Sequence, residues 1–157
     1  MNTRSFALAF ALTLVAADAL AQSSPQQQVT VAVREIATIA VQGNVSMTIS
    51  QATPGQNPDA VSANSSYDVS TNGEDRKITV ELDENMPSGL TLQAQLAAPT
   101  GASSTGAQVL STQAKNAVTG ITRVRGSGLA ITYTATATVE VASDSYARTV
   151  TYTITNN

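Results

Sequence analysis

From Val29 to Asn157, apolar side chains recur at every second position in short runs separated by polar breaks. In "VTVAV", Val29, Val31 and Val33 share one face; the charged pair Arg34–Glu35 interrupts, and "IATIAV" continues to Val41. A period of two marks a strand with one face buried, so this stretch predicts two strands, or one strand with a bulge. The same alternation places Val45, Met47 and Ile49 inward in "VSMTIS", Ile78, Val80 and Leu82 in "KITVELD", and Leu90, Leu92, Ala94 and Leu96 in "LTLQAQL". "YDVS" and "QVLS" read as shorter strands. The closing stretch is the longest. Leu129, Ile131, Tyr133, Ala135, Ala137, Val139 and Val141 alternate with Thr132, Thr134, Thr136, Thr138 and Glu140. After a polar break, Val150, Tyr152 and Ile154 alternate with Thr149, Thr151, Thr153 and Thr155. This reads as a long hairpin with one apolar and one threonine face. Threonine suits the outer face because its branched β-carbon fits the pleat and facing threonines pair across strands.

Between the runs lie turn-forming residues. Gln51–Ser66 and Ala97–Ala107 are rich in Pro, Gly, Asn and Ser and read as loops. Asn72–Gly73 sits at the centre of "TNGED", where the pair tolerates the positive φ of a tight hairpin turn. "ENMPSG" turns the chain again at Glu84–Gly89. One segment breaks the period. In "TQAKNAVTGI", Leu110, Ala114, Ala117, Val118 and Ile121 stand at helical spacing and Gly120 can end a turn, which predicts one or two turns of helix. The fold expected is all-β: a single antiparallel β-sandwich, Ig-like or jelly-roll-like, of about seven to nine strands with at most one short helix.

The N-terminal stretch differs in kind. Met1–Arg4 brings positive charge, "SFALAFALTLVAA" is an apolar run, and Ala19–Leu20–Ala21 is an A-x-A site. This predicts a signal peptide over residues 1–21, cleaved after Ala21. The run is short for a membrane span, and no later segment is apolar enough to be one. Gln22–Gln28 follows as a flexible polar leader, and residues 29–157 form the domain. The expected destination is secreted: periplasm, cell surface or extracellular matrix.

Composition narrows the function. Charged residues are 12% of the 157 and aromatics 4%, with no tryptophan. Val, Ile, Leu and Ala must therefore build the core. A net charge of -3 with scattered Lys and Arg argues against a nucleic-acid partner. The chain has no cysteine and no histidine. Disulfides, thiolate metal sites and every nucleophile system that relies on a histidine base are thereby excluded. Glu81 and Asp83 lie two apart on the outward face of one strand, with Asn85 in the turn beyond. Three hard oxygens in that order form a weak candidate for Ca²⁺, and a solvated strand end is the favoured account of them. Acids there would suit a glycosidase pair, but the aromatic cleft that binds sugars is not evident. The reading is therefore non-enzymatic, with no catalytic residue and no cofactor. Tyr133 and Tyr152 belong to apolar faces and read as core. Tyr146, in "ASDSYA", reads as exposed.

Two readings of function remain. A mobile leader ahead of "VTVAV" has the form of a segment that completes a neighbour's sheet. Main-chain hydrogen bonds would supply affinity, and Val29, Val31 and Val33 would fill alternate pockets. The plainer reading, and the one the sequence favours, makes the same residues the first strand of their own sheet. "VTVAVREIATIAVQGNVSMTIS" at one end, with "SGLAITYTATATVEV" and "RTVTYTIT" at the other, resembles in layout the WxL-type surface domains and the TasA/camelysin-like biofilm-fibre proteins. The chain lacks the Trp-x-Leu element that names the first group. The second resemblance implies a structural, extracellular role with self-association through the N-terminal strand. The alternative is a secreted monomeric binding module for carbohydrate or a protein partner, using the loops Gln51–Ser66 and Ala97–Ala107.

Overall fold

The computed structural model describes residues 24–157. The signal peptide expected over residues 1–21, with its cleavage site, lies outside the described residues. The chain divides into Met1–Ala32 and Val33–Asn157. In the first unit, residues 24–32 are exposed and belong to no strand.

The second unit is all-β, with no helix among the described residues. Its strands are β1 (Ala37–Val41), β2 (Val61–Thr71), β3 (Arg76–Leu82), β4 (Leu90–Leu96), β5 (Ser103–Ser104), β6 (Gln108–Val109), β7 (Lys115–Ile121), β8 (Val124–Ala137) and β9 (Val150–Asn156). They form two antiparallel sheets, a five-stranded one in the order β1-β2-β8-β4-β6 and a four-stranded one in the order β5-β7-β3-β9. The alternation read from the sequence now has a physical address. Tyr67 and Val69 of β2, Leu92, Ala94 and Leu96 of β4, and Ile131 and Tyr133 of β8 point into one core. Ile78, Val80 and Leu82 of β3 and Ala117, Val118 and Ile121 of β7 meet them from the other sheet. Burial of such faces is the main force holding the sheets together, about 25 cal/mol per Å² of apolar surface.

Four sequence expectations change. The predicted helix over Thr112–Ile121 is strand β7. Its register against β3 shifts twice, so that Ile78 faces Val118 while Arg76 faces Ile121 and Thr79 faces Asn116. Each shift places an extra residue on β7, and Gly120, with a φ of +71°, lies within the first, between Val118 and Ile121. Adjacent Ala117 and Val118 are consequently both buried. A doubly bulged strand thus imitates the helical spacing 117, 118, 121.

The second change concerns the closing hairpin. β8 pairs with β2 and β4, whereas β9 pairs with β3. The stretch between them crosses from one sheet to the other. The third is the turn at Asn72–Gly73, which likewise joins two sheets instead of two paired strands, since β2 pairs with β1 and β8. Asn72 is used differently: its side chain accepts from the Ile36 N–H (2.7 Å) and donates to the Arg34 carbonyl (2.8 Å).

The fourth change is that the last six of the sixteen residues of the expected loop Gln51–Ser66 are strand, because β2 begins at Val61. Its small polar residues pair with the threonine face of β8. The hydroxyls of Ser62 and Thr134 lie 3.0 Å apart, and Thr132 donates to Asn64 Oδ1 at 3.0 Å. Low apolar content concealed this strand, which is held by ladder and side-chain hydrogen bonds on its outer face. No helix of the described residues is long and apolar enough to cross a membrane.

Candidate assembly site

Two features stand out because strand-like sequence is left without a strand partner among the described residues. The first is the tail. Val29, Val31 and Val33 are 75%, 80% and 80% exposed. The "VTVAV" alternation is therefore real in the sequence but belongs to no ladder, and the ordinary first strand begins only at Ala37. The chain is tied down from Arg34 onward. Asn72 holds Arg34 and Ile36, the Asn72 N–H donates back to the Ile36 carbonyl (3.2 Å), and the Glu35 carboxylate pairs with the largely buried Arg76 guanidinium.

The second is the segment Val45–Ser50. Val45, Met47 and Ile49 are half-buried and pack on the core, while Asn44, Ser46, Thr48 and Ser50 are exposed. That is strand alternation, as the sequence predicts. Yet among the described residues no backbone hydrogen bond is formed by residues 43–50. A backbone N–H or C=O without a protein partner must be solvated or matched by another chain. Met47 and Ile49 line one wide groove of about 900 Å³. Leu92 and Ala135 contribute from the core of the five-stranded sheet, and Tyr146 and Arg148 from the chain just before β9. The charged residues among its lining are Asp144 and Arg148. Both are engaged. Asp144 Oδ1 accepts from the Ser145 N–H (2.7 Å), and Arg148 donates to the Asn85 carbonyl (3.2 Å). β9 continues from this wall, pairs only with β3, and keeps Val150, Tyr152 and Ile154 half-buried where Ile78 and Val80 on β3 are fully buried.

The candidate calcium residues take other work. Asp83 Oδ1 accepts from the N–H groups of Thr149 and Glu84, each at 2.9 Å. The Thr149 N–H is the main reason its carboxyl sits below the usual range. Asn85 Oδ1 accepts from the Thr112 N–H at 3.0 Å, and Glu81 stands opposite Thr151 in the ladder. Asp83 Oδ1 and Asn85 Oδ1 thus accept backbone hydrogen bonds that pin turns. No cluster of three or more acidic, histidine or cysteine side chains forms among the described residues.

Four polar residues matter more than the sequence suggested. Asp68 accepts from Gly128 N–H (2.7 Å) and Ser127 Oγ (2.9 Å), and these two bonds, the Gly128 one foremost, lower its pKa. Tyr67 is fully buried and donates to the Ala97 carbonyl at 2.6 Å; burial pushes its pKa up to about 12. The hydroxyls of Tyr133 and Tyr152 meet between the two sheets. Placing both tyrosines on apolar faces was legible in the sequence; their pairing was not, because it joins strands of different sheets. Tyr146 is half-buried at the groove, its hydroxyl donating to the Ala142 carbonyl (2.9 Å).

Comparison with known proteins finds no matching family model, no similar curated protein and no similar solved structure.

Proposed function

We propose that the chain is a secreted, non-enzymatic structural protein of the β-sandwich type that assembles into extracellular fibres by donating its N-terminal strand to a neighbour. One observation carries this reading: three valines at strand spacing, 75–80% exposed, in a segment that pairs with nothing among the described residues. Leaving three such side chains in water forgoes roughly 1.5 kcal/mol or more each, which a receiving sheet would recover. Addition of an extended segment to an open sheet needs no special chemistry, only free backbone groups and apolar pockets at alternate positions. That agrees with a chain lacking cysteine, histidine and tryptophan. Secretion rests on the charged start, the apolar run and the A-x-A site of residues 1–21.

The test compares Gln22–Asn157 with Arg34–Asn157 by light scattering, with circular dichroism as a check on folding. Polymers from the longer form alone support the reading. If both forms are folded monomers, the fibre role falls and the groove and the Gln51–Ala60 loop become candidates for a monomeric binding module.

A further inference from the structure

We propose that the acceptor for the tail is the groove lined by Met47, Ile49, Leu92, Ala135, Tyr146 and Arg148, and that its occupant is the Gln28–Val33 segment of a second copy of this chain. The inference rests on the assembly reading above and adds where the strand goes. Three matches support it. The first is in backbone groups. Val45–Ser50 alternates half-buried Val45, Met47 and Ile49 with exposed Ser46, Thr48 and Ser50 and lacks a ladder partner among the described residues, so it can receive a strand along its length. At about 3.3 Å per residue, a five- or six-residue strand covers such an edge.

The second match is in side chains. Val29, Val31 and Val33 project on one face of an extended chain. The groove offers Met47, Ile49, Leu92 and Ala135 as an apolar floor. The third is in charge. Residues 22–33, "QSSPQQQVTVAV", carry no charged side chain. The two charged groups lining the groove have opposite sign, Arg148 is paired with Glu84 at 3.6 Å and Asp144 is exposed, so an uncharged strand meets no charge repulsion there. Of the other strand edges, β9 is the competing acceptor, seven residues long and at the open side of its sheet, and three offer less. β5 and β6 are two residues long, and β1 has a mostly exposed pattern with only Ala37 and Ile39 half-buried.

The experiment measures hydrogen exchange at Val45–Ser50 in the secreted chain, Gln22–Asn157, beside its Val31→Asp variant. Val31 is exposed, so the variant should fold unchanged. The expected result is assembly of the unmodified chain alone, with exchange at residues 45–50 slowed on the order of 100-fold relative to the variant, as befits entry into a ladder. Met47→Lys should then prevent assembly while leaving the circular dichroism intact. Assembly without slowing at residues 45–50 would place the acceptor elsewhere and overturn this inference, leaving strand donation standing. Slowing in a chain that stays monomeric would mean the tail fills its own groove, and the second copy is wrong. Neither assembly nor slowing would remove both this inference and the reading beneath it.

Discussion

Tyr133 and Tyr152 connect the two sheets through a pair of hydroxyls in a mostly aliphatic interior. Such a pair stabilises only while both members are present. Tyr152→Phe leaves the Tyr133 hydroxyl largely buried without its partner, and should cost about 1–3 kcal/mol in urea unfolding. Tyr133→Phe should cost a similar amount, and the double variant clearly less than the sum, because it removes the orphan along with the bond. Additive costs would show that the hydroxyls do not interact. Each tyrosine could be assigned inward from alternation alone. Their meeting depends on which sheet each strand joins, and no local signal in "LAITYTATATVEV" or "RTVTYTIT" carries that.

Among the elements, the sequence was most informative where strands bury one face without interruption. β3 and β4 lie where alternation put them, whereas β8 starts earlier, at Val124, and ends at Ala137, leaving Val139, expected on the apolar face, exposed. It misled at β7, where two bulges reset the period, and at β2, where small polar residues concealed a long strand. It also misled at both supposed hairpins, since a turn motif fixes a reversal of direction and not the sheet that follows. The glycines at irregular points permit a direct test. Gly120 and Gly89 both have positive φ, +71° and +84°. Around Gly120 a Cβ would meet nothing within 4 Å, whereas at Gly89 it would fall 2.5 Å from Thr138 Oγ1, a buried hydroxyl with no hydrogen-bond partner among the described residues. Gly120→Ala should therefore cost only the left-handed backbone strain, about 1 kcal/mol. Gly89→Ala should cost distinctly more, because Thr138 must also move. Equal melting temperatures for the two variants would contradict this difference. The tail and the Val45–Ser50 segment were both legible as strand-like; that neither finds a partner among the described residues was not, because pairing is a property of the assembled sheets.

For the molecule as a whole, the ionisable groups are arranged so that stability is lost mainly at high pH. With no histidine, no side chain of ordinary pKa titrates around neutrality. Asp68 and Asp83 have lowered pKa values, so the stability they add is present above about pH 4 and is lost as pH falls through their folded-state values. Both accept their hydrogen bonds at the surface, so this acid limb should be shallow. Tyrosine behaves oppositely. Burial raises Tyr67 to about 12 and also raises Tyr133 and Tyr152 above the ordinary value near 10. Between those values the unfolded chain has released protons that the folded chain still holds, so stability must fall as pH rises. Three buried tyrosines titrating in one window should make this limb steep. The melting temperature should be nearly flat from about pH 5 to 9, then drop sharply above about pH 10, with tyrosinate absorbance appearing as the fold is lost. In the Tyr133→Phe, Tyr152→Phe double variant the alkaline drop should become shallower, since only Tyr67 of the three remains. An unchanged slope would show that these hydroxyls ionise without unfolding the chain, and that the contact between the sheets is more open to water than their burial implies.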